Sequence, residues 1–217
     1  MLYFPLKLSE GNSMQTTEKI ILSRVYGNGR GWAFSQIEFV DIAKTATIHW
    51  VLHRLVQEGT IRRVLRGIYD YPRYSDLLQK PMPPDIHKVA RALERKFGWR
   101  IQPGGAVSLN LMGISTQVPS KFVYLSDGPN RKYQVGETTL LFKHQSLKES
   151  ALNHEISAIL VQGLKEIGKN HVNEHVLKQM RNWLPKNKRT LILKDTKGVT
   201  GWVYDALKRI CREEING

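Results

Sequence analysis

The side chains with the clearest chemical potential lie close together in the sequence, between positions 44 and 73. Hydroxyl, imidazole, indole and guanidinium groups recur along a predicted helix and the hairpin after it, where they can donate hydrogen bonds to base edges and phosphates. The candidate contacts are Lys44, Thr45, Thr47, His49, Trp50, Arg54, Arg62, Arg63, Arg66 and Arg73. This set predicts that the chain binds a nucleic acid.

A second group of residues has the spacing of a metal site. His171, Glu174 and His175 follow the pattern H-x-x-E-H, in which two histidines on one helix face hold zinc. Asn173, however, is a good N-cap, and a helix starting there leaves His171 outside it. We therefore expect two solvent-facing histidines and no metal. No nucleophile elbow or pair of carboxylates stands out elsewhere, so we expect neither catalysis nor a cofactor.

The helix that carries most of the candidate contacts is predicted over residues 45–58. Thr45 or Thr47 can cap its start, and Gly59 is typical of the residue that follows a helix end. Its apolar residues recur at spacings of three, four and seven, which predicts a buried stripe. The stripe consists of Ile48, Val51, Leu52 and Leu55. An apolar back with donors near the N-terminal half is typical of a recognition helix, although an ordinary core helix shows the same stripe.

The segments around this helix favour a DNA-reading module. Residues 16–26 predict a first helix, and Ser35 and Glu38 form a capping-box pattern that predicts a second one. Residues 60–71 alternate like a hairpin with its turn at Gly67. Ile61, Val64 and Ile68 are expected to face the core, and Arg62, Arg63 and Arg66 to point outward. Helices followed by a basic hairpin predict a winged helix-turn-helix.

Composition also favours a polyanionic partner. The 217 residues include 33 Lys and Arg against 19 Asp and Glu, a formal net charge of +14. Such an excess suits nucleic acid or an anionic membrane surface. No apolar run approaches the roughly 20 residues of a membrane span, so we expect no membrane partner. The single cysteine, Cys211, fits a reducing compartment, and we expect a cytoplasmic protein.

The predicted fold class is α+β, in two domains after a loose leader. The leader is residues 1–13, the winged helix-turn-helix domain 14–80, and the second domain 81–217, with the proline-rich segment at 81–84 as the boundary. The second domain is expected to begin with a helix to Phe97, followed by a three-stranded meander over 121–143. Four helices are expected after it, near 149–167, 173–184, 187–195 and 199–213. The meander requires a hairpin turn at the Asp-Gly-Pro-Asn sequence that follows its first strand.

Most of the excess charge lies in the second half. Residues 76–217 carry 23 Lys and Arg against 13 Asp and Glu. We expect a basic face of the second domain, including Arg131, Lys132 and Lys143, to add phosphate contacts. Ordinary solvated side chains on helix exteriors are the alternative.

The sequence resembles the AbiEi-type antitoxins of abortive-infection type IV toxin–antitoxin systems. The resemblance lies in GWAFSQIEF, LHRLVQEGTIRRVLRGIYDYPR, IQPGGAVSLNLMGISTQVP and KFVYLSDGPNRKYQVGETTLLFK. It implies an N-terminal domain that binds inverted repeats in the promoter of its own operon and represses it. It also implies a second domain that counters a nucleotidyltransferase-like toxin, for which direct contact is not required.

The resemblance carries over only to some positions. Arg62, Arg63 and Arg66 match the family's basic wing, and Tyr69 and Pro72 match its end. The start of the recognition helix, Lys44–Thr47, is a place where relatives differ, so the resemblance implies no operator sequence. Three alternatives stay open: a stand-alone DNA-binding regulator of a mobile element, a zinc-dependent hydrolase using His171, Glu174 and His175, and an RNA-binding protein.

Overall fold

The computed structural model describes residues 8–117, 119–145 and 152–212. The fold class is α+β, as predicted, with helices and small, mostly antiparallel sheets. The chain divides into two compact units, unit 1 ending at Trp99 and unit 2 beginning at Arg100. Within the described ranges, no helix combines the length and apolarity needed to cross a membrane.

In the part that the structure describes, unit 1 consists of three helices, a 3-10 turn and two small sheets. The elements are α1 (Leu8–Gly27), β1 (Ala33–Phe34), the 3-10 turn (Gln36–Phe39), α2 (Thr45–Gln57), β2 (Arg62–Leu65), β3 (Ile68–Asp70), β4 (Tyr74–Ser75), β5 (Lys80–Pro81) and α3 (Ile86–Phe97). The first sheet has the antiparallel order β1-β3-β2, and β4 pairs only with β5. The hairpin of β2 and β3 therefore lies next to the strand that precedes the 3-10 turn.

The core of unit 1 fixes α2 against the sheet. All four residues of the predicted apolar stripe on α2 are fully buried, which confirms that prediction. They share a cluster with residues of α1 and with aromatic side chains from β1, the 3-10 turn and β3. The Phe34 ring stacks on the Tyr69 ring at 6.0 Å and meets the Phe39 ring edge-on at 5.5 Å. This packing leaves the other side of α2 free for solvent or a ligand.

The predicted second helix is wrong in its length and in its cap. Only a 3-10 turn forms, and the Ser35 hydroxyl accepts from the Ile37 amide rather than from the amide of Glu38. The Glu38 carboxylate pairs instead with Arg95 of α3, so it cannot complete a capping box. A tertiary ion pair has thus replaced the local interaction that the sequence pattern suggested.

Two predicted termini also differ. Helix α1 begins at Leu8, so the part of the expected loose leader from residue 8 to 13 is helical, while residues 1–7 lie outside the described part. Helix α2 takes Lys44 as its N-cap, without a capping hydrogen bond from that side chain, and Thr45 is already its first residue. Neither of the two predicted threonine caps forms.

Helix α3 belongs to unit 1, whereas the sequence predicts it as the first helix of the second domain. It packs on β1 and β3, and Arg95 donates to the Ala33 carbonyl at 2.8 Å. Asp85 caps its start by accepting from the Lys88 amide at 3.2 Å. The proline-rich segment is therefore a connection inside unit 1, because the apolar face of α3 is buried against the first sheet.

Unit 2 combines one four-stranded sheet with helices. The elements are β6 (Ile101–Pro103), α4 (Gly105–Leu111), β7 (Lys121–Ser126), β8 (Arg131–Val135), β9 (Thr138–His144), α5 (Glu155–Ile167), α6 (Glu174–Trp183), α7 (Arg189–Asp195) and α8 (Gly201–Cys211). Helices α5 to α8 fall where the sequence predicts four helices, and they share one apolar core. The start predicted for the first of them, near residue 149, lies outside the described residues.

The predicted three-stranded meander is wrong. The sheet order is β6-β7-β9-β8, so β9 lies between β7 and β8 and runs parallel to β7. Leu140 and Phe142 make β9 more apolar than β8, which favours an interior position for β9. The polar strand β8 takes the edge, where charged side chains stay in water. Asp127 does not close a hairpin, because its carboxylate accepts from the Arg100 amide next to β6.

Candidate nucleic-acid interface

The solvent side of α2 carries five of the predicted contact residues in accessible positions. Lys44, Thr45 and His49 are exposed, Thr47 is half-buried, and 45% of the Trp50 surface is accessible. These residues occupy the N-terminal half of α2, the part of a recognition helix that meets base edges.

Arg54, the sixth candidate on α2, is held by two carboxylates. Its guanidinium lies 3.1 Å from the Glu18 carboxylate of α1 and 2.8 Å from the Glu58 carboxylate. It also lies over the Trp50 ring at 5.7 Å. Arg54 thus connects α2 to α1 and supports the exposed indole. It would have to leave both carboxylates to reach a phosphate.

Arg62 does not point outward as predicted. It forms a two-point ion pair with Asp70 on the neighbouring strand, at 3.0 and 2.6 Å, and donates to the Met82 carbonyl at 3.0 Å. The Asp70 side chain is only 4% exposed, so its charge needs a partner inside the protein. Arg62 turns away from solvent because the buried Asp70 carboxylate forms an ion pair with it.

Arg73 is likewise engaged within unit 1. Its guanidinium pairs with Asp85 at 3.0 Å, and its backbone carbonyl accepts from the Met82 amide at 2.8 Å. A Cβ atom on Gly31 would lie 2.6 Å from the Arg73 Nε, so the Arg73 side chain can pass this close only because residue 31 is a glycine. Arg73 fastens the segment after the hairpin to the start of α3.

Arg63 and Arg66 differ from the other arginines of unit 1. Six arginines pair with carboxylates, and Arg30 donates to the Pro72 carbonyl at 3.0 Å. The six are Arg24, Arg54, Arg62, Arg73, Arg91 and Arg95. Arg63 and Arg66 are exposed and form no ion pair or hydrogen bond to any described residue through their guanidinium groups. Both belong to the hairpin of β2 and β3.

The turn of this hairpin is supported from behind by α3. Gly67 has a φ of 72°, a value that favours glycine, and the Lys96 ammonium donates to the Arg66 carbonyl at 3.0 Å. Partial burial and the nearby Arg66 guanidinium lower the pKa of Lys96. The Lys96 contact was not predictable from sequence, because it joins residues 30 positions apart.

In unit 2, the structure brings Arg131, Lys132 and Lys143 together. All three are exposed and line one depression at the adjoining ends of β8 and β9. The expected basic face of the second domain thus has a definite location.

The candidate metal residues are not brought together on one helix. His171 lies in a 3-10 turn, and Asn173 caps α6 by accepting from the Val176 amide at 3.0 Å, as predicted. Glu174 pairs with Arg209. The part of the chain that the structure describes contains no group of three or more His, Cys, Asp or Glu side chains arranged to hold a metal ion.

The chain belongs to the family of unknown function DUF6088, whose model matches residues 20–192. The matched range includes α2, the hairpin with Arg63 and Arg66, α3 and the sheet of unit 2. No curated protein matches the chain.

Limited proteolysis can test the support of the hairpin turn by Lys96. The Arg66 carbonyl that accepts from Lys96 belongs to the bond that trypsin cuts after Arg66. Losing this hydrogen bond costs about 1 kcal/mol, so local opening should increase about fivefold. We therefore expect Lys96→Met to be cut after Arg66 about five times faster than wild type, as measured by mass spectrometry of the first fragments.

Lys88→Met is the matched control, because Lys88 lies on the same helix and is also half-buried. It should leave cleavage after Arg66 unchanged. Equal cleavage rates in wild type and Lys96→Met would show that Lys96 does not hold the turn.

Proposed function

We propose that the chain is a DNA-binding transcriptional repressor whose unit 1 is a winged helix-turn-helix. In this proposal α2 enters the major groove and the hairpin of β2 and β3 is the wing. The binding site is double-stranded DNA with inverted repeats in the promoter of its own operon. We further propose that the protein acts in the cytoplasm, is not an enzyme, and serves as an antitoxin of the AbiEi type.

The observation that carries the proposal is the pairing state of the arginines in unit 1. Guanidinium groups near carboxylates normally form ion pairs with them, and six of these arginines do so. A structural role explains those six. Arg63 and Arg66 have no such partner among the described residues, and Arg63 lies on the edge strand β2 and Arg66 at the turn that follows it. Two exposed guanidinium groups on the same hairpin suit contact with two phosphates.

The order of elements supports the same reading. Helix α1, β1, the 3-10 turn, α2 and then the hairpin follow one another, and β1 completes a three-stranded sheet with the hairpin. The buried stripe fixes the back of α2, and its first-turn amides receive no capping bond from the Lys44 side chain. Free amides at a helix start favour a phosphate, which would set the depth of α2 in the groove.

We assign some of the candidate residues to phosphate contacts and others to base contacts. Lys44, Thr45, Arg63 and Arg66 would contact phosphates and set the position of unit 1. Thr47, His49 and Trp50 would meet base edges and set the sequence preference. Arg54, Arg62 and Arg73 are left out of the contact set and act as internal supports.

The repressor proposal can be tested without knowing the operator. Each phosphate contact contributes about −0.9 to the slope of log affinity against log salt, for any duplex sequence. Replacing both Arg63 and Arg66 by Gln should therefore reduce the slope on a mixed-sequence duplex by about two. Fluorescence anisotropy at several salt concentrations measures it.

The control Lys19→Gln/Lys80→Gln removes the same charge at exposed positions outside α2 and the wing. Its slope should change by much less. If the wing variant keeps the wild-type slope, or if the wild-type chain fails to bind duplex DNA at low salt, the proposal is wrong.

The antitoxin part rests on the resemblance alone and needs its own experiment. We expect a nucleotidyltransferase-like reading frame beside the gene, and we expect co-expression of this chain to restore growth when that frame is toxic. The Arg63→Gln/Arg66→Gln variant should restore growth equally, because the resemblance assigns antitoxin action to the second domain. A neighbouring frame of another kind, or no rescue, would favour a stand-alone regulator of a mobile element.

A further inference from the structure

A second basic surface lies in unit 2, where the end of β9 meets the start of β8. The two strand ends enclose an open depression of about 540 Å³. Its lining consists of Asn130, Arg131, Lys132, Leu141, Phe142, Lys143 and His144. This set contains three permanent cations and no carboxylate, and none of the three cations forms an ion pair with a described residue.

The strand register explains why the two lysines of the depression, Lys132 and Lys143, lie close together. Lys132 is directly opposite Leu141, and Lys143 follows Leu141 by two positions on β9. Directly opposite residues and residues two apart on a strand share one face of a sheet. Lys132, Leu141 and Lys143 therefore lie on the same face, with the leucine between two exposed ammonium groups.

The remaining polar groups of the depression are held in place by backbone contacts. The side-chain Oδ1 of Asn130 accepts from the His144 backbone amide at 2.7 Å, so the side-chain NH₂ group of Asn130 points the other way. The His144 Nδ1 lies 2.9 Å from the Gly128 carbonyl, which leaves the opposite ring nitrogen for another partner. The depression thus has two polar side chains with fixed orientation beside its exposed cations.

Two lysine ammonium groups on one face of the sheet, with Arg131 beside them on the opposite face and no carboxylate in the lining, create a positive potential that an anion would relieve. Open, shallow geometry favours a long polyanion over a small enclosed ligand. Lysine and arginine contact phosphates without reading bases, and an exposed aromatic platform for stacking on bases is lacking among these lining residues. The surface therefore suits a phosphodiester backbone more than unstacked bases.

We propose that this depression binds the sugar–phosphate backbone of double-stranded DNA, as a second contact surface independent of α2 and the wing. The inference rests on the proposed function in one respect, namely that duplex DNA is the ligand. It assigns to unit 2 a share of the affinity, and no share of the sequence preference.

The first test is the salt dependence of the full chain on a mixed-sequence duplex. We expect Lys132→Gln/Lys143→Gln to reduce the slope of log affinity against log salt by about two. The control Lys165→Gln/Lys178→Gln removes the same charge from exposed positions on α5 and α6 of the same unit. It should leave the slope close to wild type. Equal slopes for the two double variants would overturn the inference.

The second test measures contact directly, by acetylation of lysines in the wild-type chain with and without duplex. We expect the duplex to protect Lys132 and Lys143 at least fivefold and to leave Lys165 reactive. Inorganic phosphate at the same phosphate concentration should protect both lysines much less, because a free ion lacks the closely spaced neighbouring charges of a duplex backbone. Protection by phosphate but not by duplex, or no protection by either, would overturn the inference.

The outcomes for the two proposals can be distinguished. Loss of slope in the wing variant without any effect at Lys132 and Lys143 contradicts only the surface in unit 2. Protection of Lys132 and Lys143 by duplex in a chain whose wing variant has the wild-type slope contradicts only the proposed role of the wing.

Discussion

The buried carboxylate of Asp70 imposes the constraint on which the architecture of unit 1 depends. Asp70 lies on β3, the central strand, and is registered with Ala33 on one side and Arg62 on the other. A charge that is only 4% exposed costs several kcal/mol unless a partner compensates it. Arg62 supplies that partner with two hydrogen bonds, and its third contact, to the Met82 carbonyl, ties the chain after the hairpin to β2.

Similar pairing extends through unit 1 and decides which cations are left for a ligand. Glu38 takes Arg95, Asp41 takes Arg24, Asp85 takes Arg73, and Glu18 shares Arg54 with Glu58. Exposed pairs of this kind contribute little stability individually, typically below about 1 kcal/mol. Their effect is rather on specificity, since they remove most guanidinium groups from the surface and leave Arg63 and Arg66 on the hairpin. Helix α3 adds to this by holding the hairpin turn through Lys96.

The sequence predicted the local features of the structure well. The apolar stripe of α2, the stop at Gly59, the cap at Asn173 and the four C-terminal helices all follow from spacings within one or two turns. Features that depend on contacts between distant residues were not predictable. Arg54 and Glu18 are 36 positions apart, and Arg62 finds its carboxylate partner on the other strand of the hairpin. The predicted strand order of the meander was wrong for a related reason. The burial of β9 between β7 and β8 outweighed the turn sequence that favours a hairpin of β7 and β8.

The most direct measurement is a map of the residues whose NMR signals change when a mixed-sequence DNA duplex is added to the isotope-labelled chain. The proposed function predicts the largest changes at the amides from Lys44 to Trp50, at the amides from Leu65 to Gly67, and at the Nε signals of Arg63 and Arg66. It predicts small changes at the Nε signals of Arg62 and Arg73, which stay paired with Asp70 and Asp85. Unchanged signals over α2 and the hairpin, with duplex bound elsewhere on the chain, would contradict it.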